Sequence, residues 1–461
     1  MRKPPRAALV IGLLLGVAPP GWAQTAAQTP AQAQASGPAP PGGPPPEVAE
    51  EEAAEGPEGA EGFVLPAATE VTPPLVMMGY VDIGFADAEG DGTSYPFSDT
   101  RLPADYGVDT FATAVNSRGD VASTDAQGLF VNGFLPRSMD IGGRPSFLLN
   151  NVNFDLRYLS PRVPIMAFTR VQILPRFATG LGNFTFVYLE QAFGRVTPIQ
   201  GKEFFVSAGK FDSVFGIEYL DNQSTFRTGV TPSLFARYTT GTSLGVKAFF
   251  RQQIAPLWSA VSLNMAATNS GNFVESLQTP DISLTGAPVI SARLGYELNL
   301  PMLQVKLGGS VLTGPRNDQW DVDAQQKMWG VDARVYLYGL SLSGEYVDVN
   351  EDLGAPGKQT GLGGFPISSD FQARGFWTQA AYAWRAGLGP LTAVTVYGRY
   401  EQRRAEFEGF RPLSVARLTS GLRVDLWDSL VLKAEVLFNQ ERWGAPDVDN
   451  DVFTSSVIFS W

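Results

Sequence analysis

Cysteine and histidine are both absent from the 461 residues. That excludes disulfide bridges, thiol nucleophiles, the usual zinc ligand sets and every catalytic triad or dyad that turns on an imidazole. Long apolar runs are missing apart from one near the N-terminus, and no heptads occur. Neither membrane-crossing helices nor a coiled-coil stalk is therefore expected. Positive charge is the scarcer sign: Lys and Arg number 34 against 46 Asp and Glu, a formal net charge of −12. Such a balance argues against nucleic acid as a partner. No pair of carboxylates is singled out for aspartic-type chemistry, so no catalytic residue, no cofactor and no enzymatic activity is expected. Asp318, Asp321 and Asp323, like Asp447, Asp449 and Asp451, are spaced as calcium ligands could be. Both groups lack the Gly and the terminal Glu of an EF-hand loop, and they read as solvated acidic loops rather than metal sites.

The N-terminus reads as a secretory signal. Arg2, Lys3 and Arg6 precede an apolar stretch, Ala7 to Ala18, and Gly21-Trp22-Ala23 offers a small-residue cleavage site before Gln24. Cleavage after residue 23 removes three positive charges and leaves about −15 (−12 minus 3). Residues 24–74 are Ala, Pro, Gln, Gly and Glu, with eight glutamates and no Lys or Arg. A segment so poor in apolar side chains cannot offset the entropy of ordering, and is expected to be a disordered, solvated periplasmic tail.

From Leu75 onward the chain alternates. In its last ten residues, VFTSSVIFSW, Phe453, Val457, Phe459 and Trp461 share one parity, and Thr454, Ser456 and Ser460 the other. A two-residue period with one apolar and one polar face is a β-strand. Segments of this kind recur through residues 75–461, among them Pro288–Leu300, Lys327–Tyr338 and Leu430–Gln440, and add up to about 16 strands. Connections after odd-numbered strands are mostly long (87–145, 213–242, 269–287, 351–371), and those after even-numbered ones mostly short (Pro301, Gly339, Asp428–Ser429). Roomy bends at one end and tight turns at the other are the sidedness of a bacterial outer-membrane barrel. The fold class expected is thus all-β: a transmembrane antiparallel β-barrel of about 16 strands behind the signal peptide and the disordered segment. Phe193, Trp258, Trp329, Tyr346, Tyr382, Trp384 and Trp461 lie near strand ends on the apolar parity, as membrane-interface girdles require.

The other parity carries charge, which facing lipid would cost roughly 2–4 kcal/mol per midplane Lys or Arg. It is assigned to a lumen, which about 16 strands leave wet. Arg157, Arg170, Lys210, Lys247, Arg293, Arg334 and Arg399 are the pore-lining candidates. Arg251, Lys306, Arg417, Arg423 and Lys433 fall on the same parity, as do Asp82, Asp155, Glu190, Glu297, Asp332, Glu345, Glu401, Asp425 and Glu435. A wall with both signs resembles a general pore with a transverse field. The connection Ser213–Thr242 is too rich in Phe, Tyr, Leu and Val for water. It is expected to fold inward and narrow the lumen, with Glu218, Asp221, Arg227 and Arg237 near the constriction. The first long connection, 87–145, competes for that role.

Within FFVSAGKFDSVFGIEYLDNQ, the segment AGKFDSVFGIE (Ala208–Glu218) resembles the GKF…FG.E signature of the phosphate-selective porin O/P group and of OmpL-like β-barrel porins. VYGRYE (Val396–Glu401) and Arg417–Val436 resemble the C-terminal strands of those families. The resemblance implies an outer-membrane channel for small solutes, often anions, and a homotrimer; Lys210 matches the motif position. The reading at this stage is an exported barrel of a Gram-negative outer membrane. It would be a passive porin for small hydrophilic solutes and ions, with outer-membrane lipid and lipopolysaccharide as its surroundings. The alternative is a plugged structural or adhesive barrel whose acidic loops bind a partner or calcium.

Overall fold

The computed structural model describes residues 74–88, 146–178, 182–199, 201–254, 258–269, 287–315, 325–352, 371–407, 412–442 and 451–461. The signal peptide, the tail as far as residue 73, most of the first long connection and the acidic clusters at 318–323 and 447–449 lie outside the described residues.

Sixteen antiparallel strands form one closed barrel. In chain order they are β1 (Leu75–Ala88), β2 (Ser146–Leu159), β3 (Ile165–Ala178), β4 (Gly182–Val196), β5 (Glu203–Asp212) and β6 (Thr242–Ile254), then β7 (Ser259–Thr268), β8 (Val289–Leu300), β9 (Leu303–Pro315), β10 (Gln325–Leu337) and β11 (Leu340–Asp352). The last five are β12 (Phe371–Leu388), β13 (Leu391–Phe407), β14 (Leu413–Leu426), β15 (Leu430–Arg442) and β16 (Val452–Ser460). Each strand pairs with its sequence neighbours, and β16 closes on β1 with Tyr80 opposite Ser460 and Ile83 opposite Val457. The seam ends in a reciprocal backbone pair: Gly79 N donates to Trp461 O (3.1 Å) and Trp461 N to Gly79 O (3.0 Å). Gly79 is required there, because a Cβ on it would lie 2.5 Å from the Trp461 ring, which also meets Phe154 edge-on at 5.6 Å.

Alternation sets the two faces. On β10 the odd residues Trp329 and Val331 are exposed on the outer surface, while Met328 and Asp332 are buried inside. Three aromatic residues, Trp258, Tyr338 and Trp427, sit at the short-turn end with φ near +50° and remain exposed. Positive φ costs a non-glycine residue of order 1 kcal/mol or more, a cost that rings seated at a bilayer interface offset.

The barrel departs from strict alternation at one informative place. Arg170 pairs with Gln191 and Val171 with Leu189, so Glu190 is an extra residue in β4, a β-bulge. The bulge exchanges faces beyond it: Val187 and Leu189 point outward, whereas Gln191, Phe193 and Arg195 are buried inside. Phe193, expected in an outer girdle, instead packs in the lumen against Met166, Phe168, Phe211, Val214 and Ala266. β3 and β4 also run on through most of the connection expected at 175–183.

Candidate functional site: a constriction loop seated in the lumen

β5 is only ten residues long and ends at Asp212, where Ser213 N donates to Gly241 O (3.0 Å) and pinches the chain into a loop. The loop, residues 213–241, turns into the barrel, and most of its side chains are buried. Its own sequence shapes it. Ser213 Oγ accepts from Phe215 N (3.0 Å), and Gly216 takes φ +73° with its Cα against the Glu345 carboxylate. A 3₁₀ turn follows at Glu218–Asp221 and a short helix at Ala236–Thr239. Glu218 accepts from both the backbone N–H (2.5 Å) and the hydroxyl of Ser233, tying the two halves of the loop together.

The wall holds the loop in two ways. Phe215, Leu234, Phe235 and Tyr238 pack against Val289, Leu312, Met328, Val347, Val349, Ala373 and Val415. These are apolar side chains on the inward parity, where polar ones were expected, and each finds its partner in the loop. Elsewhere the wall's charges grip the loop's backbone. Glu435 accepts from Val230 N (2.9 Å) and Thr231 N (2.8 Å). Arg399 donates to Thr231 O and Pro232 O (both 2.9 Å), and Arg417 to Pro232 O (2.6 Å). Glu401 accepts from Leu234 N (2.6 Å) and pairs with Arg399 (2.7 Å) and Arg417 (3.0 Å). Lys433 donates its ammonium to the carbonyls of Ser224, Arg227 and Gly229, and Arg423 donates to Arg227 O (3.1 Å). Arg334 on β10 binds Ile217 O (3.0 Å) and Asp221 (2.5 Å), and Tyr80 on β1 donates to Gln223 (2.8 Å). Charge-assisted bonds of this kind contribute about 1.5–3 kcal/mol each.

Two charged groups stand apart. The Arg227 guanidinium is buried with no hydrogen bond or ion pair among the described residues, and burial pulls its pKa down. The Glu345 carboxylate, on β11, is likewise buried, and it lies against Gly216 of the loop. Burial pushes the Glu218 pKa up, against the Ser233 hydrogen bonds.

The expected pore residues divide as follows. Arg334 and Arg399 hold the loop, and Glu218, Asp221 and Arg227 belong to it. Arg170 pairs with Asp155 (2.6 Å) and Arg293 with Asp332 (2.6 Å) on the inner wall. Arg157 is half-buried on the inward parity of β2, and Lys247 lies inside, 5.1 Å from the Phe211 ring. Arg237 is in the short helix, but its side chain lies outside the described ones. Lys210 is a correction: opposite Ala192 and Leu244, it falls on the outward parity of β5. Phe211 takes the inward place, drawn by the cluster around Phe193. Tyr80 and Asn153, which bond Gln223 of the loop, and Ser310, which accepts from Gly216 N, complete the seat and carry no sequence signal beyond their inward parity.

A closed sixteen-stranded antiparallel barrel, apolar outside and charged inside with a long loop bound in its lumen, is a porin-like outer-membrane barrel. No protein-family model matches the chain, and no curated protein matches it. Among solved structures it is similar to the anion-selective porin of Comamonas acidovorans (11% identity, TM-score 0.48, covering 84% of this chain and 99% of that one). It is also similar to Salmonella typhi OmpF in complex with daunomycin (10%, 0.48, 84% and 97%) and to the outer membrane channel DcaP of Acinetobacter baumannii (10%, 0.46, 84% and 97%).

Proposed function

We propose that the protein is a passive diffusion porin of the outer membrane, conducting small hydrophilic solutes and ions past the 213–241 loop. The observation that carries this reading is the loop's seat. A wall of both charge signs holds the loop by its backbone and keeps it inside a lumen of a width that is otherwise water-filled. Arginines paired with carboxylates along the wall (Arg170 with Asp155, Arg293 with Asp332, Arg399 and Arg417 with Glu401) support a lumen of both signs over a dense cationic ladder. The reading is therefore a general pore rather than a phosphate-specific one, even though AGKFDSVFGIE resembles the porin O/P signature. Homotrimeric assembly, export through a cleaved signal at residue 23 and a free periplasmic tail belong to the same proposal.

Planar-bilayer recording tests it. The full-length protein should give stepwise conductance, and deletion of Asp221–Gly229 should raise the step. A silent wild-type channel would favour a plugged barrel. An unchanged step on deletion would remove the loop from the conduction path. The reversal potential in a salt gradient should show weak selectivity, as opposed charges require.

A further inference from the structure

The outer surface carries a second feature, unrelated to the lumen. Where β10 to β13 face the membrane, small residues line up across the strands: Ala333 opposite Gly344, Gly344 opposite Thr378, and Ala380 opposite Gly398. They form the floor of a cleft of about 720 Å³, walled by Tyr346, Phe376 and Tyr400. The cleft is shallow and open along its length, so it could cradle a chain lying on the wall but not enclose a ligand. Because the cleft opens sideways on a membrane-spanning wall, hydrocarbon is the chemistry that fits it.

Above the cleft, toward the long-connection end, lies a row of outward-facing arginines. Pairing register places Arg374 opposite Arg404, Arg404 opposite Ser414, and Ser414 opposite Arg442. All three arginines are within four residues of a strand end. Arg374 and Arg404 share a single carboxylate, Glu406 (3.2 and 2.7 Å), and their side chains stay 42% and 35% exposed. Arg442 donates to Tyr400 Oη (3.3 Å), so its guanidinium stands on the wall of the cleft itself. With Lys327 exposed on the same face of β10, the described side chains of the row are four cations against Glu406 and Asp348. A surplus of positive charge stands out on a chain whose net charge is −12.

We infer that this face is a binding site for a phosphorylated, multiply acylated glycolipid of the outer leaflet, the lipopolysaccharide class. Arg374, Arg404 and Arg442 engage its phosphates, and the Gly344–Gly398 cleft takes an acyl chain. Guanidinium matches phosphate bidentately, and basic pockets at headgroup depth are how membrane proteins select anionic lipids. An interface with a second copy of the chain is less suited, since it would have to bury cations that outnumber their partners.

The test uses the full-length protein in detergent, with bis-phosphorylated lipid A as the probe and native mass spectrometry as the readout. The wild type should retain lipid A at least tenfold more strongly than R374Q/R404Q/R442Q, and more strongly than it retains dephosphorylated lipid A. Gly398→Leu should also weaken retention about tenfold by filling the cleft; a Cβ there meets no atom nearer than 3.9 Å, so the fold tolerates it. Inorganic phosphate alone should not compete. Equal retention by wild type and both variants overturns the site. Competition by free phosphate assigns the arginines to a soluble anion, and loss of oligomer with unchanged lipid retention assigns the face to a protein interface; either result refutes the proposal. If the triple variant fails to fold, R442Q and Gly398→Leu decide. Single-channel conductance should be unaltered in all of them, because none of these side chains faces the lumen, so this site and the porin reading fail separately.

Discussion

Glu401 is where the seat of the loop can be broken with one substitution. Its carboxylate is fully buried between Arg399 and Arg417, which are themselves at most 4% exposed, and it also accepts from Leu234 N at 2.6 Å. Glu401→Ala would leave two desolvated guanidinium groups without their carboxylate and one loop N–H without an acceptor. Removing one partner of a buried pair costs about 3–5 kcal/mol, a shift of roughly 10²- to 10⁴-fold in a two-state equilibrium. The barrel does not carry that loss, because the strand ladder on either side of β13 is backbone-bonded along its length. The equilibrium that moves is docking of the loop. We expect Glu401→Ala to keep the barrel's thermal transition within a few degrees, to expose residues 213–241 to limited proteolysis, and to convert steady conductance into large, flickering steps. Glu401→Gln, which retains acceptors for Leu234 N and Arg417, should fall between the two. A quiet, protease-resistant channel of wild-type conductance in Glu401→Ala would refute the view that wall charges hold the loop.

Two further outcomes follow from other sites. Gly79→Val should prevent the barrel from closing, since its Cβ would meet both Asn153 O (2.4 Å) and the Trp461 ring (2.5 Å); loss of heat-resistant, compact migration on gels would report it. For Glu218, burial raises the carboxyl pKa in the docked loop above that of the free chain. The docked state then binds the proton more tightly, so docking is favoured below about pH 4.3 and weakens as pH rises through the raised value. Channel noise should therefore grow over that window, and Glu218→Gln should flatten the dependence; an identical pH profile in the variant would exclude Glu218 as its source.

Much of this architecture is legible in the residues. The two-residue period, the alternation of connection lengths and the apolar Phe, Tyr and Val of 213–242 are consequences of where water and lipid lie, and they give the barrel, its sidedness and the inward loop. The errors have local causes. Phe193 is misplaced because a bulge at Glu190 adds one residue to β4, and nothing in FVYLEQAFG marks it: the polar Glu-Gln pair fits either register. Lys210 is misplaced because its charge suggests the lumen, whereas the aromatic cluster inside draws Phe211 inward and leaves the lysine the outer parity. Met328, Val347 and Val349 break the polar parity openly, yet their meaning depends on Phe235 and Tyr238, more than 85 residues away. Such a partnership is visible only once the loop is seated.

The wall reaches the loop mostly through peptide groups: carbonyls of Ile217, Ser224, Arg227, Gly229, Thr231, Pro232 and Leu234, and N–H groups of Gly216, Val230, Thr231 and Leu234. Peptide groups are the same whatever side chain they carry. Positions such as Thr225 and Thr228 can therefore change size or charge while the mounting stays fixed, and the bore of the barrel can drift in what it admits without any change to the frame around it.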